Sequence, residues 1–293
     1  MKNSGYQKII QSDLRKFETR LSQSLRSGSQ YIGACVAHAD KNKGKRIRPA
    51  ILFLAGRACG GVKDTHLDAA VALELFHTAT LLHDDVIDEA ELRRGAPTHN
   101  DRFGNAAAVI FGDYILSCAL TAAASEELFA CRGSLTEAAK KICEGEMEQV
   151  FRRFDLTMAE EDYIRIIRNK TAMLFAAACE IGAALSGADE HAQKALYDYG
   201  MEIGIAFQIM DDLTDIFGNE SAAGKSLRSD LKKGELTLPF IHLARSTAYA
   251  KRVRAIVTPE RIESSMPDLL DMVYRSDSFD YCRSLAAAHA AAA

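Results

Sequence analysis

The chain has 293 residues, of which 48% are hydrophobic and 26% are charged, so it can bury a large core and is neither disordered nor fibrous. Its 36 Lys and Arg against 40 Asp and Glu give a net charge of -4, which leaves no excess of cations for nucleic acid or an anionic membrane surface. Five prolines and 19 glycines are too few for the frequent turns of a β-sandwich or barrel. The composition therefore favours long helices.

Apolar residues recur at helical spacing through most of the chain. We expect a first helix over 7–35, and a second that opens at Pro49 after a basic loop. Further helices are predicted over the ranges Leu67–Ile87, Asn105–Leu128, Leu135–Val150, Asp162–Leu185 and Glu190–Ile216, and again in TLPFIHLARS. Since no repeat of fixed period and no linker divides the sequence, we expect one all-α domain over residues 1–293. The alanine-rich end SLAAAHAAAA favours a helix and is assigned no function.

The sequence also predicts where the protein resides. Its amphipathic start lacks the apolar core of a secretory signal, and the richest apolar candidate, 171–188, still carries Glu180, so we expect that segment to be a buried helix. Seven cysteines without a CxxC pair are typical of reduced, mostly packed thiols. We therefore expect a cytoplasmic protein without stable membrane insertion.

Two segments, HDDVID and MDDLTD, share one acidic pattern. Their carboxylates are Asp84, Asp85 and Asp88 in the first motif and Asp211, Asp212 and Asp215 in the second. At spacing i, i+1 and i+4, three carboxylates fall within roughly 100° on one helix face. Either motif alone could be a solvated acidic face. Both, however, follow apolar stretches, where carboxylates without a cation are costly. Oxygen-only clusters select hard cations such as Mg²⁺, which also takes substrate phosphate oxygens, so the pair predicts a metal-diphosphate clamp.

Basic residues collect near these motifs. Lys45 and Arg48 precede one helix, Arg93 and Arg94 follow the first motif, and Lys225, Lys232 and Lys233 follow the second. Any one of them could simply be a solubilising surface residue, but their shared placement at helix ends favours an anion site. His77 lies seven residues before Asp84, about 20° away around the helix, and is predicted to point toward the same site. His83 is interpreted as structural.

Six segments carry a resemblance to a known family. GKRIRP, HTATLLHDDVIDEAELRRGAPT, FGNAAAVIFGDYIL, NKTAMLF, FQIMDDLTD and GKSLRSDLKKGELTLP occur in the order typical of the trans-type polyprenyl diphosphate synthases. The resemblance covers about residues 43–243 and is specific, because two DDxxD motifs, RRG and GKxxRP together are far rarer than any one alone. It implies an all-α bundle around a central cavity, usually a homodimer, that uses Mg²⁺ to ionise an allylic diphosphate.

The resemblance also implies roles for single residues. Three Mg²⁺ ions would be held by Asp84, Asp85, Asp88, Asp211 and Asp215, with Asp212 in support. The allylic diphosphate would contact Arg93, Lys170 and Lys225. The diphosphate of isopentenyl diphosphate would contact Lys45, Arg48, His77 and Arg94, and Thr171 and Gln208 would line the reacting centre. One position departs, because Glu235 stands where the family usually has Lys. Either Lys232 or Lys233 would then substitute, or metal and diphosphate affinity would differ there.

The residues before the first motif bear on product length. Similar enzymes with short products place Phe or Tyr at the fourth and fifth positions before that motif, where this chain has Thr80 and Ala79. A growing prenyl chain could pass both, so we expect a C30 to C40 product, octaprenyl-like, with farnesyl or geranylgeranyl diphosphate as the alternative. Phe76, about 12 Å along the helix from Asp84 at 1.5 Å per residue, or an apolar residue of the range Tyr114–Leu128, would set the limit.

Three other functions remain open. A terpene cyclase usually carries an NSE-type triad in place of DDLTD and needs no isopentenyl site. A metal phosphohydrolase would use the pair His83 and Asp84, but it leaves the second motif and RRG unexplained. A non-catalytic subunit of a heteromeric synthase would be expected to lose aspartates, whereas this chain keeps them all.

Overall fold

The computed structural model describes residues 5–40, 44–218 and 229–293, and within them the fold is all-α. The helices are α1 (Gly5–Ile9), α2 (Gln11–Ser24), α3 (Gln30–Ala39), α4 (Ile47–Ala58), α5 (Asp64–Ile87), α6 (His99–Phe103), α7 (Asn105–Ala123), α8 (Arg132–Phe151), α9 (Glu160–Ile167), α10 (Met173–Ser186), α11 (Glu190–Phe217), α12 (Ser229–Lys232), α13 (Leu238–Arg245), α14 (Ala250–Ile256), α15 (Met266–Arg275) and α16 (Ser278–Ala292). A 3₁₀ helix covers Glu126–Cys131 and a π-helical turn covers Arg168–Ala172. Two short antiparallel strands, β1 (Leu92–Arg93) and β2 (Ala96–Pro97), form a hairpin.

Most predicted helices are confirmed, with four differences, of which the first is that the helix predicted over Asn105–Leu128 ends at Ala123 and is followed by the 3₁₀ helix. The expected helix over 7–35 is wrong, because α2 ends at Ser24 and Ser29 then caps the separate helix α3 by accepting a hydrogen bond from the backbone N–H of Ile32. Helix α4 begins at Ile47 rather than Pro49, and proline is tolerated in a first turn, whose N–H groups have no helical acceptor. The predicted helix over 162–185 is interrupted by the π-helical turn.

The chain forms two compact units. The first comprises Met1–Ala139 and Leu174–Gly200, and the second comprises Lys140–Met173 and Met201–Ala293. The expectation of a single domain stays a prediction.

In the first unit, α5 packs along α7 and also contacts α4 and α2. Helix α5 is buried on nearly all sides of its first half, with Leu73 fully enclosed, as expected for a helix that is apolar all round. His83 packs on Gly112 of α7 so closely that an added Cβ at this glycine would overlap the imidazole ring. This contact fits the structural interpretation of His83.

In the second unit, the short helix α13 contacts α9, α14, α15 and α16. Its side chains Leu238, Phe240 and Leu243 are fully or almost fully buried. The alanine-rich helix α16 also has contacts here, since His289 lies 2.6 Å from a carboxylate oxygen of Glu202 on α11. The sequence pattern alone does not reveal these partners.

Among the described residues, α7 is the one helix long and apolar enough to be a candidate membrane span, and 28% of its most apolar window is buried. A single such helix is weak support for a membrane span, and Asp113 lies in its middle. The segment 171–188, expected to be a buried helix, is confirmed as mostly buried, with its first two residues in the π-helical turn and 173–186 in α10.

Candidate active site

The first acidic motif lies at the carboxyl end of α5, with Asp88 as its C-cap. Asp84 and Asp88 are half-buried, whereas Asp85 is buried and its Oδ1 accepts a hydrogen bond from Nε of Arg93 at 2.7 Å. Arg93 therefore balances the charge of Asp85. The carboxyl end of a helix carries partial negative charge, so carboxylates placed there need further cations.

The hairpin after α5 positions two of the predicted arginines. Arg94 and Gly95 form its two-residue turn with φ of 54° and 78°, the left-handed pair that such hairpins require. The guanidinium of Arg94 approaches Gly44 so closely that an added Cβ would lie 3.0 Å from Nη1. The glycine of GKxxRP thus leaves room for Arg94.

Three predicted ligands of the isopentenyl diphosphate, Arg48, His77 and Arg94, are brought together in the first unit. Burial, together with the positive charge of Arg94, lowers the pKa of Arg48 to about 10, against the opposing effect of Glu74. The Nε atom of Arg48 is buried without a hydrogen-bond partner among the described residues, and its guanidinium lies over the Phe175 ring at 5.1 Å. Such a cation would be stabilised by an anion.

The positive charges of the surrounding arginines also affect the pKa of His77. Burial and then the charges of Arg48, Arg94, Arg93 and Arg46 lower its pKa well below 6.5, so the imidazole is neutral at pH 7. Burial and the charge of Arg93 likewise lower the pKa of Arg94. A cavity of about 120 Å³ is lined by His77, Arg93, Arg94 and Gly44. We call His77, Arg94 and the neighbouring Arg48 the arginine pocket. Lys45, which follows Gly44 in the chain, is exposed.

Arg46 was not among the predicted site residues, and the structure assigns it a packing role. Its guanidinium donates to Glu18 and Glu74, both at 2.7 Å. With both carboxylates engaged, Arg46 braces α4 against α2 and α5.

The second acidic motif lies near the carboxyl end of α11, in the second unit. Asp211 is exposed, whereas Asp212 and Asp215 are buried. Asp212 accepts hydrogen bonds from Tyr163 Oη at 2.6 Å and from Gln208 Nε2 at 2.7 Å. Both of its oxygens are thereby engaged, as a supporting role requires.

The pKa of Asp212 differs from that of an ordinary carboxyl group. Burial raises its pKa to about 7, with the negative charges of Asp230 and Asp211 acting in the same direction, while the hydrogen bonds from Tyr163 and Gln208 oppose this rise. Burial and the charge of Asp212 also raise the pKa of Tyr163 well above 10. At neutral pH this buried carboxyl group is close to its titration midpoint.

Lys170 and Thr171 lie in the π-helical turn, a feature that occurs often at functional sites. Lys170 Nζ donates to Glu146 of α8 at 2.9 Å, and Thr171 Oγ1 donates to Gln208 at 2.7 Å. An added Cβ at Gly145 would lie 2.8 Å from the backbone nitrogen of Lys170, so α8 approaches this turn closely. Thr171, Gln208 and Asp212 form one chain of hydrogen bonds.

The structure describes only some of the basic residues that follow the second motif. Lys225 lies outside the described residues, Lys232 is exposed and Lys233 is half-buried. Glu235 is buried and accepts hydrogen bonds from Gln149 and from Arg153, whose Nη2 lies 2.6 Å from Oε1. The cation that meets Glu235 is therefore Arg153, which the sequence did not single out.

The predicted chain-length residues lie on α5 in the first unit. Ala79 is 2% exposed, while Phe76 and Thr80 are half-buried. The Thr80 hydroxyl donates to the backbone oxygen of His77 at 2.9 Å, so its hydrogen is already used within the helix.

The sequence matches the polyprenyl synthetase family over residues 29–273. An octaprenyl diphosphate synthase of Haemophilus influenzae is 36% identical over 94% of this chain and 84% of its own length. A geranylgeranyl diphosphate synthase of Methanosarcina mazei is also 36% identical, over 83% of this chain and 76% of its own. The crystal structure of a polyprenyl synthase from Caulobacter crescentus, complexed with calcium and isoprenyl diphosphate, is similar with a TM-score of 0.91 and 33% identity, covering 97% of this chain and 88% of that one. The chain thus belongs to the polyprenyl synthetase family and is an enzyme that transfers prenyl groups.

Proposed function

We propose that this polyprenyl diphosphate synthase condenses geranyl or farnesyl diphosphate with isopentenyl diphosphate to make a long all-trans polyprenyl diphosphate. The observation that carries the proposal is the arginine pocket, where Arg48, whose Nε is buried, lies together with Arg94 and neutral His77. Arg94 lowers the pKa of Arg48, and both lower the pKa of His77, so an anion such as a diphosphate would stabilise this group of cations. The Haemophilus relative is named for the same kind of product.

The two diphosphates divide the basic residues between them. Lys45, Arg48, His77 and Arg94 bind isopentenyl diphosphate, with His77 donating one hydrogen bond as a neutral imidazole. Arg93, Lys170 and Lys225 contact the allylic diphosphate. Arg93 and Lys170 already pair with Asp85 and Glu146, which orients both cations before substrate binds.

The acidic motifs fit magnesium as the cofactor. Among residues 5–40, 44–218 and 229–293, no three His, Cys, Asp or Glu side chains form a ready-made metal-ligand group. Magnesium does not require one, since it takes few protein carboxylates and completes its coordination with water and substrate phosphates. Three ions would be held by Asp84, Asp85, Asp88, Asp211 and Asp215, and they would neutralise charge on the leaving diphosphate. The Caulobacter structure, described with calcium and isoprenyl diphosphate, supports this pairing.

The reaction then needs little from the protein besides binding and exclusion of water. The allylic C–O bond breaks and its electron pair leaves with the diphosphate. The isopentenyl double bond attacks the resulting cation to form the new C–C bond, and a proton from the isopentenyl unit passes to the released diphosphate. Thr171 and Gln208 line this centre, and the Thr171 hydroxyl donates to Gln208 at 2.7 Å, which fixes the orientation of both side chains.

Product length is proposed as C30 to C40. Thr80 and Ala79 place no aromatic ring near the first motif, and Thr80 turns its hydroxyl back to the helix backbone. The Methanosarcina relative is named for a shorter product, so a geranylgeranyl-length product is the competing outcome. Chromatography of products from purified enzyme, farnesyl diphosphate and excess isopentenyl diphosphate decides between them. A single C15 or C20 species contradicts the long-chain proposal.

We also propose a homodimer that uses the exposed face of α7. Val109, Ile110 and Leu120 are 39%, 64% and 54% exposed on this helix, and they surround Asp113, whose side chain is 65% exposed. A charge in the middle favours a protein partner over a bilayer. Light scattering of Ile110→Glu should show monomers where wild type gives dimers. Vesicle binding by the wild type would favour the membrane instead.

The phosphohydrolase alternative is weakened by the position of His83. Its Nε2 lies 3.3 Å from Asp113 of α7 and its ring packs on Gly112. These contacts occupy the imidazole within the helix pair, so it is poorly placed to share a metal with Asp84. Phosphate release without isopentenyl diphosphate would support that alternative.

A further inference from the structure

The end of α8 and the turn after it hold the segment Gly234–Glu235. Glu235 is 8% exposed, and Arg153 donates to its Oε1 through Nη2 at 2.6 Å and Nε at 3.1 Å. Gln149, from the last turn of α8, donates to its other oxygen, Oε2. Both oxygens of this buried carboxylate are therefore bonded, and its charge is balanced by a guanidinium.

A second contact joins the same two segments. The backbone N–H of Phe154 donates to the oxygen of Gly234 at 2.8 Å. Phe154 and Gly234 both have left-handed backbone, with φ of 61° and 81°, and an added Cβ at Gly234 would overlap the Phe154 ring. Left-handed backbone is unfavourable at a non-glycine residue, so neighbouring contacts must hold Phe154 in place. We call the contacts of Gln149, Arg153 and Phe154 with Gly234 and Glu235 the clasp.

The segment held by the clasp includes Asp230, whose charge acts on the second acidic motif. Helix α12 ends at Lys232, and the backbone N–H of Glu235 donates to the oxygen of Asp230 at 2.9 Å. Asp230 is close enough to Asp212 and Tyr163 for its negative charge to act on both. Fixing Glu235 therefore also fixes the short helix that places Asp230, Lys232 and Lys233 in this region.

We propose that Glu235 is a positioning residue: through Arg153 and Gln149 it anchors the segment 229–237 so that its charged groups stay beside the second acidic motif. This inference rests on the proposed function, because the ligand it serves is the allylic diphosphate bound there. Glu235 acts through the segment and does not touch the diphosphate. Because Arg153 neutralises it, the carboxylate adds no net negative charge to the site.

Charge exchange tests the clasp. Arg153→Glu and Glu235→Arg each leave two like charges in a partly buried pair, which is strongly destabilising locally. We expect each variant to raise the KM for farnesyl diphosphate about tenfold, with the KM for isopentenyl diphosphate nearly unchanged. The double variant restores opposite charges and should recover most of the loss. Glu235→Gln, which keeps the shape and can still accept a hydrogen bond from Arg153, should show a smaller effect.

A second measurement tests the clasp without relying on enzyme activity. Hydrogen–deuterium exchange of the amides of residues 230–236, measured on metal-free protein, should quicken in both single variants and slow again in the double variant. Arg152→Glu is the matched control, because Arg152 pairs with Asp155 and Asp162 rather than with Glu235. It should leave these amides and the KM for farnesyl diphosphate unchanged.

Two results overturn the inference. The first is unchanged exchange in residues 230–236 in both single variants. The second is a lowered KM for farnesyl diphosphate in Glu235→Lys, which would show direct contact between this position and the diphosphate. Failure of the proposed function looks different: wild-type enzyme would then transfer no prenyl group, and the exchange comparison would still decide whether the clasp holds the segment.

Discussion

The phenolic hydroxyl of Tyr163 on α9 donates to Oδ2 of Asp212 on α11 at 2.6 Å, and both side chains are buried. This bond ties the second acidic motif to the helix that leads into Lys170 and Thr171. Tyr163→Phe should therefore lower the free energy of unfolding by about 1–3 kcal/mol, because a buried hydrogen bond to a carboxylate is lost. Urea denaturation at pH 8 measures it. Tyr31→Phe, at a position 76% exposed, is the control, and an equal effect in both variants would contradict the assignment.

Asp212 predicts a pH dependence of stability. Burial, together with Asp230 and Asp211, raises its pKa to about 7, whereas an unfolded chain has an ordinary value of about 4. Between those values the folded state binds a proton that the unfolded state has lost, so stability falls as the pH rises through this window.

The test compares metal-free wild type with Asp212→Asn. Over pH 5 to 8 the wild type should lose on the order of 2–3 kcal/mol more unfolding free energy than the variant, in urea titrations with chelator present. Taking the difference between the two proteins removes the contributions of other titrating groups. Parallel curves would exclude Asp212 as the source.

The acidic motifs should be essential for turnover and dispensable for folding. Asp84→Ala and Asp211→Ala each remove a carboxylate proposed to hold magnesium. Prenyl transfer should fall at least about a hundredfold, since charge on the leaving diphosphate is then poorly stabilised, while far-ultraviolet circular dichroism stays unchanged. Asp198→Ala, at an exposed aspartate of α11, should retain activity. Full turnover in the first two variants would refute the metal assignment.

Gly44 offers a test of the arginine pocket. Gly44→Ala places a Cβ about 3.0 Å from the Arg94 guanidinium, so that side chain must shift. We expect the KM for isopentenyl diphosphate to rise about fivefold with little change in kcat. Gly28→Ala, where an added Cβ meets nothing within 4 Å, is the matched control. A selective rise in the KM for the allylic substrate would argue against the division of diphosphates proposed above.

Thr80→Phe should shorten the product. The side chain at position 80 is half-buried, so an aromatic ring there would narrow the path of the prenyl tail below the first motif. Products should move toward C15 or C20 on reversed-phase chromatography. Thr80→Val removes only the hydroxyl that bonds to the His77 backbone and should keep the wild-type product. Unchanged length in Thr80→Phe would place the limit elsewhere.

Sequence patterns predicted the helices well, because α5 and α11 carry long apolar stretches without proline that end in acidic motifs. They failed where the backbone leaves the 3.6-residue period. The π-helical turn at Arg168–Ala172 contains no proline or glycine that would mark it. The break between α2 and α3 did have a local signal, in Gly28 and Ser29, which the apolar spacing outweighed.

The candidate site residues that stand in motifs could be proposed from the sequence, whereas long-range contacts such as those of Tyr163 and Arg153 could not. Arg48, His77 and Arg94 could be placed from spacing and resemblance, and the structure brings them together. Tyr163 lies 49 residues before Asp212, and Gln149 lies 86 residues before Glu235. No local pattern links residues so far apart, so only the tertiary structure shows that Arg153 forms an ion pair with the unusual Glu235.

Besides its contacts with α13 and α15, helix α16 also contacts α9 and α11, since its Tyr281 donates to Glu160 of α9 and its His289 contacts Glu202 of α11. Its Cys282 and Ala286 are buried. Although its sequence is rich in alanine and suggests no partner, this helix contacts both of the helices that bear Tyr163 and Asp212. Trimming it for crystallisation, or inserting an affinity tag within it, would therefore loosen the contact between Tyr163 and Asp212, far away in sequence.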